Sequence, residues 1–129
     1  PLINGAVCLY SDRDRTLSAL IDFHLVTKWK TAGDSLLAAR KLARPDAREI
    51  LIVGAGTVGR SLCAAFSAGF PDARLRIWNR TAAKAQLLAD TIPGLTLADD
   101  LESAVRQADI VVSATMSSEP VILGDWLRP

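Results

Sequence analysis

The chain has little of what several common kinds of site require. It holds two cysteines, Cys8 and Cys63, with no C-x-x-C pair, and one histidine, His24. That excludes a disulfide scaffold and leaves no ligand set for a zinc site, so no metal is expected. No apolar run approaches the roughly 20 residues of a membrane span, and the N-terminus lacks the basic-then-apolar pattern of a secretory signal. A soluble, cytoplasmic protein without a membrane partner is the resulting expectation. Charge of one sign is also missing: Lys plus Arg is 15 against 14 for Asp plus Glu, a formal net charge of +1. A dedicated nucleic-acid binder would carry a basic excess, so no nucleic-acid partner is expected. Internal repeats and low-complexity tracts are not visible. What remains is 129 residues, 50% hydrophobic, enough to bury the core of one compact unit. The chain opens at Pro1 without Met and stops at Pro129 after an apolar segment, which suggests a piece of a longer protein.

Val7, Leu9, Leu17, Ala19 and Ile21 fall in two runs with partial period-2 alternation, separated by the polar stretch Ser11-Asp12-Arg13-Asp14-Arg15. This predicts a β-hairpin. Ala32, Leu36, Leu37, Ala39 and Leu42 recur at helical spacing, Thr31 and Asp34 resemble a capping box, and Pro45 ends the run, so a helix is expected over Thr31 to Arg44. Beyond Pro45-Asp46-Ala47 the pattern changes. Glu49 to Val53 reads as a strand buried on both faces, followed by a helix from Thr57 to Ala68, a strand at Arg74 to Trp78 and a helix at Ala82 to Asp90. A strand near Leu95 to Leu97, a helix at Leu101 to Gln107 and a strand at Asp109 to Ala114 complete the series. Strands alternating with helices predict an α/β fold with a doubly wound parallel sheet, Rossmann-like and with an incomplete second half. The expected division is a hairpin and linking helix over 1–45 and a nucleotide-binding domain over 46–129.

Gly54-Ala55-Gly56-Thr57-Val58-Gly59 fits G-x-G-x-x-G between a strand and a helix. The first glycine permits the tight turn, the second lets backbone approach a pyrophosphate, and the third lets helix and strand pack closely. The first amides of the helix then face an anion. The end of the second strand discriminates between cofactors, because a carboxylate there would accept hydrogen bonds from the adenosine ribose of NAD. This chain has Asn79-Arg80-Thr81 and then Lys84. Arg80 and Lys84 are one helical turn apart, where they can flank a 2′-phosphate beside the Thr81 hydroxyl. NADP(H) is therefore favoured over NAD(H). Asn79 and Thr81 are also candidate caps for the next helix. Ser113-Ala114-Thr115-Met116-Ser117-Ser118 follows the last strand and is expected near the nicotinamide end, although turn chemistry accounts for the serines equally well.

The chain resembles the ornithine cyclodeaminase and mu-crystallin family, and within it the NADPH-using ketimine reductases. The resemblance runs through Lys30-Thr31-Ala32, Leu42-Ala43-Arg44-Pro45, Ile52-Val53-Gly54-Ala55-Gly56, Arg76-Ile77-Trp78-Asn79-Arg80-Thr81, Ala108-Asp109-Ile110-Val111-Val112 and Glu119-Pro120-Val121-Ile122-Leu123-Gly124-Asp125-Trp126-Leu127. The Arg76 to Thr81 run and the Glu119 to Leu127 tail are its specific parts. The resemblance implies cofactor contacts from Thr31, from the glycine loop with Thr57 and Val58, from Asn79, Arg80, Thr81 and Lys84, and from Thr115, Met116 and Ser117. It implies reduction of a cyclic imino acid such as pyrroline- or piperideine-2-carboxylate, and a homodimer formed through the sheet that holds the hairpin. The family places an arginine where this chain has Lys30; lysine keeps the charge but not the bidentate fork, so Lys30 is the candidate for holding the substrate carboxylate. Gly33-Asp34 also departs from the small apolar residues usual there. The family's active-site lysine would lie before Pro1 and its acidic catalytic residue beyond Pro129.

Two other functions fit the resemblance: a cyclodeaminase-type lyase that recycles bound NAD(H) on an amino-acid substrate, and a carrier of NADPH or a small ligand. A shikimate-type dehydrogenase shares Asn-Arg-Thr-x-x-Lys but fits the hairpin and tail less well. His24 is expected on a strand end in a structural role, Cys8 and Cys63 as small buried residues, Trp78 beside the adenine or the sheet edge, and Trp126 in the core.

Overall fold

A computed structural model describes residues 5–128; the first four residues of the expected 1–45 segment and Pro129 lie outside it. Strands β1 (Ala6–Tyr10) and β2 (Leu17–Asp22) pair antiparallel as the expected hairpin. In the connecting loop Arg15 takes a positive φ of 61°, and the Asp14 carboxylate accepts from the Thr16 amide and hydroxyl. Every residue of the two strands except Val7 and Ala19 is exposed.

Helix α1 spans Phe23–Leu42, eight residues longer at its start than the expected Thr31. Asp22 is its N-cap, its carboxylate accepting from the Leu25 amide at 2.9 Å, as short polar side chains do at helix starts. Thr31 and Asp34 are therefore mid-helix and form no capping box: the Thr31 carbonyl accepts from Ser35 Oγ, and Asp34 pairs with Lys30. The helix also ends two residues before Arg44. His24 belongs to the first turn of α1 rather than to a strand end, with Nδ1 3.8 Å from Asp22. Cys8 is exposed, not buried, because no second layer covers β1 among the described residues; Cys63 is buried as expected.

The α/β series follows the predicted order. Strands β3 (Glu49–Val53), β4 (Arg74–Trp78), β5 (Leu95–Leu97) and β6 (Ile110–Ser113) form one parallel sheet in the order β5-β4-β3-β6. Helices α2 (Thr57–Gly69), α3 (Ala82–Thr91) and α4 (Leu101–Gln107) make the crossovers. Alternation along β3 divides the core. Ile50 and Ile52 join Ala32 of α1, Leu62, Cys63 and Phe66 of α2, and Leu88 of α3 on one face, while Leu51 and Val53 join Ala104 and Val105 of α4 on the other. A strand buried on both faces is what its unbroken Ile-Leu-Ile-Val run requires. Trp126, in a 3-10 turn at Gly124–Trp126, packs half-buried against the second cluster.

The amino ends of β3 and β6 are held by one side chain. Asp109 Oδ2 accepts from the Arg48 and Glu49 amides at 2.8 and 3.0 Å, and Oδ1 accepts from Arg44 at 2.7 Å and Arg128 at 3.1 Å. The turn between α1 and β3, the start of β6 and the end of the described chain thus meet at a single carboxylate.

Candidate functional site

At the carboxyl ends of β3, β4 and β6 the three following loops enclose a groove of about 330 Å³, the place where ligands sit in open α/β sheets. From the β3–α2 loop come Gly54, Ala55 and Gly56; from the end of β4, Trp78, from the loop after it Asn79 and Arg80, and from the first turn of α3 Lys84; from the segment after β6, Ala114, Thr115, Met116 and Ser117, with Val121 behind them.

The glycines meet different demands. Gly54 has φ +114°, and a Cβ there would lie 2.4 Å from the Ala114 carbonyl oxygen. A side chain would push apart the loops after β3 and β6. At Gly59, buried in the first turn of α2, a Cβ would reach 1.9 Å from the Gly54 carbonyl oxygen. This glycine lets the helix start directly against the turn. Gly56 has no atom within 4 Å of a Cβ position and opens onto the groove, so it leaves room for a ligand rather than for protein. The first amides of α2 have no carbonyl one turn back within the helix, and together with the helix dipole they form an anion site. These features fit the pyrophosphate of a dinucleotide.

Across the groove, Arg80 and Lys84 are exposed and no carboxylate is among the lining residues. Asn79 does not cap α3: its Oδ1 accepts from the Ala55 amide at 3.0 Å and its Nδ2 donates to the Thr81 carbonyl at 2.9 Å. Thr81 is the N-cap residue of α3, but its side chain makes no capping hydrogen bond, which leaves the hydroxyl available. Trp78 is half-buried against the second core cluster and lines the groove.

Eight of the expected cofactor residues thus line one groove: Gly54, Gly56, Asn79, Arg80, Lys84, Thr115, Met116 and Ser117. Thr57, Val58 and Gly59 form the first turn of α2 beside it, with Val58 packed on the core. Thr31 and Lys30 are not among the groove walls. Thr31 is half-buried on α1, and Lys30 is exposed, its Nζ 2.6 Å from Asp34 Oδ2. Hydrogen bonding to Asp34 raises the Lys30 pKa above its ordinary value. Ala55 and Ala114 line the groove with the loops expected there, whereas Val121 is a lining residue that the sequence does not mark. Among the described residues no cluster of His, Cys, Asp and Glu is arranged for a metal, and no helix is long and apolar enough to cross a membrane.

The sheet order, the faces covered and the glycine turn define a Rossmann-type α/β unit. More specifically, the chain belongs to the ornithine cyclodeaminase/mu-crystallin family, whose model matches residues 4–129. It is 48% identical over 134 residues to a Delta(1)-pyrroline-2-carboxylate reductase of Paracoccus denitrificans, covering all of this chain and 42% of the relative. It is 31% identical over 130 residues to the ketimine reductase mu-crystallin of Mus musculus, again 100% of this chain and 42% of the relative. A Delta(1)-pyrroline-2-carboxylate reductase of Thermococcus litoralis, solved with NADH and L-proline, superposes with a TM-score of 0.83 over 95% of this chain and 40% of that one. At 24% identity the likeness is one of fold. The chain therefore spans about two fifths of the length of these relatives.

Proposed function

We propose that the protein carrying this chain is an oxidoreductase that uses NADPH to reduce a cyclic imino acid of the pyrroline- or piperideine-2-carboxylate type. The observation that carries this reading is the groove itself: helix amides on one side, Arg80 and Lys84 on the other, and no carboxylate at the end of β4. The 48% identity to a pyrroline-2-carboxylate reductase supports the substrate class. On this reading residues 46–129 are the nucleotide-binding domain, and residues 1–45 belong with a substrate and dimerisation domain.

The first turn of α2, from Gly56 through Thr57, Val58 and Gly59, holds the pyrophosphate. Arg80, Lys84 and the Thr81 hydroxyl hold the 2′-phosphate, with guanidinium and ammonium supplying charge-assisted hydrogen bonds. Thr115, Met116 and Ser117 flank the nicotinamide end, and Thr31 contributes from α1. When bound, NADPH would supply the hydride that reduces the C=N carbon of an imine protonated on nitrogen, giving a secondary amine and NADP+. Orientation of the two carbons is the protein's main contribution. Lys30 is the candidate for the substrate carboxylate, and its contact with Asp34 must then be exchanged for the substrate. The hairpin's uncovered apolar side chains, Leu9, Tyr10, Leu17 and Leu20, each more than half exposed, support a homodimer, because a lone two-stranded sheet is marginal in water. A cytoplasmic location goes with this reading.

The test is a fluorescence titration with NADPH and NADH, repeated on Arg80→Ala, together with NADPH consumption in the presence of pyrroline-2-carboxylate. NADPH is expected to bind at least tenfold tighter, about 1.4 kcal/mol, and Arg80→Ala to lose that margin. Equal binding of the two cofactors would favour the NAD(H)-recycling lyase. Tight NADPH binding without turnover of any imino acid would favour a carrier.

A further inference from the structure

Asn79 occupies the end of β4, the position from which an acidic side chain reads the ribose of NAD. Its carboxamide is already engaged at both ends. Oδ1 accepts from the Ala55 amide at 3.0 Å and Nδ2 donates to the Thr81 carbonyl at 2.9 Å. Only this orientation of the amide satisfies both partners, since an N–H must face an oxygen and an oxygen an N–H. Ala55 lies in the glycine loop and Thr81 begins α3, so one side chain bridges two loops that are 24 residues apart in sequence. A second bond, from the Gly54 amide to the Trp78 carbonyl at 2.8 Å, closes the same junction from the backbone.

We infer that Asn79 is a positioning residue. It fixes the distance between the pyrophosphate loop and the arm that carries Arg80 and Lys84, and it does not itself read the ribose. The inference rests on the NADPH reading given above. A ligand that spans both loops finds them already at the right separation and does not have to order one against the other. Such preorganisation is felt most by a ligand that touches both sides and little by one that touches a single side. A carboxylate at this position would keep the bond to Ala55 but turn its second oxygen against the Thr81 carbonyl, releasing the Arg80 arm. The amide is therefore suited to this site in a way that an acid is not, apart from any repulsion of a 2′-phosphate.

The experiment combines amide hydrogen exchange at Ala55 in the ligand-free protein with titrations of NADPH, inorganic pyrophosphate and 2′-AMP, for the unsubstituted protein, Asn79→Ala and Asn79→Asp. In Asn79→Ala, Ala55 exchange should quicken at least tenfold. NADPH, which spans both loops, should weaken at least tenfold, while inorganic pyrophosphate and 2′-AMP, which each engage one side, weaken less than threefold. In Asn79→Asp, Ala55 protection should persist and NADPH should still weaken. Unchanged Ala55 exchange in Asn79→Ala, or loss of protection in Asn79→Asp, overturns the tie. 2′-AMP weakening as much as NADPH, with pyrophosphate unaffected, overturns it in favour of direct ribose contact. If the unsubstituted protein binds NADPH and NADH equally, the cofactor reading fails while Ala55 exchange still decides the tie. If Asn79→Ala does not fold, Asn79→Asp decides.

Discussion

Replacing Asp109 by alanine removes the acceptor for four donors at once. Two are backbone amides at the head of β3, those of Arg48 and Glu49. The Glu49 amide is partly buried, and leaving such a group unpaired costs about 1–3 kcal/mol; the exposed Arg48 turn can be rehydrated at smaller cost. Arg44 and Arg128 have side chains 62% and 52% exposed, so each pair contributes about 0–1 kcal/mol. The expected loss is about 2–4 kcal/mol, a large part of the roughly 5–15 kcal/mol that holds a domain together. At about 4 °C per kcal/mol this lowers Tm by roughly 10 °C. Asp109→Asn separates the contributions. Its carbonyl oxygen can take the place of Oδ2 and keep both amides, while its NH2 faces the arginines, so the expected loss is about 1 kcal/mol. Hydrogen bonds from the Arg48 and then the Glu49 amide hold the Asp109 carboxyl below the usual carboxylate range, with Arg44 and Arg128 adding to the effect. A depressed folded pKa stabilises fully above the unfolded value, near 3.9, and the contribution disappears as pH falls through the lower folded value. The stability gap between the unsubstituted protein and Asp109→Ala should therefore be constant from neutral pH to about pH 5 and narrow below about pH 4. Urea denaturation followed by circular dichroism at several pH values measures this. An Asp109→Asn loss equal to that of Asp109→Ala would refute the primacy of the amides, and an Asp109→Ala loss under about 0.5 kcal/mol would refute the whole account.

Gly59→Ala and Gly56→Ala should part company. The first forces the start of α2 away from the Gly54 carbonyl and should lower both Tm and cofactor affinity, whereas the second should leave Tm within about 2 °C and weaken only the cofactor, as thermal melts beside titrations would show. Thiol labelling of the native protein should modify Cys8 and spare Cys63, because burial pushes the Cys63 thiol up to about 11. Rapid reaction of both would contradict the packing of α2, and protection of Cys8 would mean that another surface covers the hairpin.

How far the sequence could be read depended on the range of each interaction. From β3 to β6 the expected boundaries fall within one or two residues of those observed, because buried strands and amphipathic helices write their period into consecutive residues. The start of α1 was hidden. Thr27, Lys28 and Lys30 interrupt the apolar spacing, Thr31 and Asp34 imitate a start, and the real cap, Asp22, closes a strand as well. Exposure of Cys8 was not legible either, since it depends on what lies over β1 and not on β1 itself. In the site, Gly54, Gly56, Arg80 and Lys84 follow from motif and position. The double engagement of Asn79 does not, because it needs Val53 and Trp78 side by side in the sheet. Asp109 passed as part of a family motif, and its role emerges only when β6 lies against β3.

The sheet order also implies a sequence of assembly. Leu75 pairs with Leu95 across 20 residues and Ile50 with Leu75 across 25, but Ile50 meets Ile110 only across 60. Long closures cost more chain entropy and are made later than short ones. The glycine turn and the Arg80 arm therefore come together with the first strands, and the wall formed by Ala114, Thr115 and Met116 arrives last, when β6 docks. A ligand that grips this wall adds its binding energy to the step the chain finds slowest to complete. Loss of β6 would empty the groove while leaving three of its four strands paired.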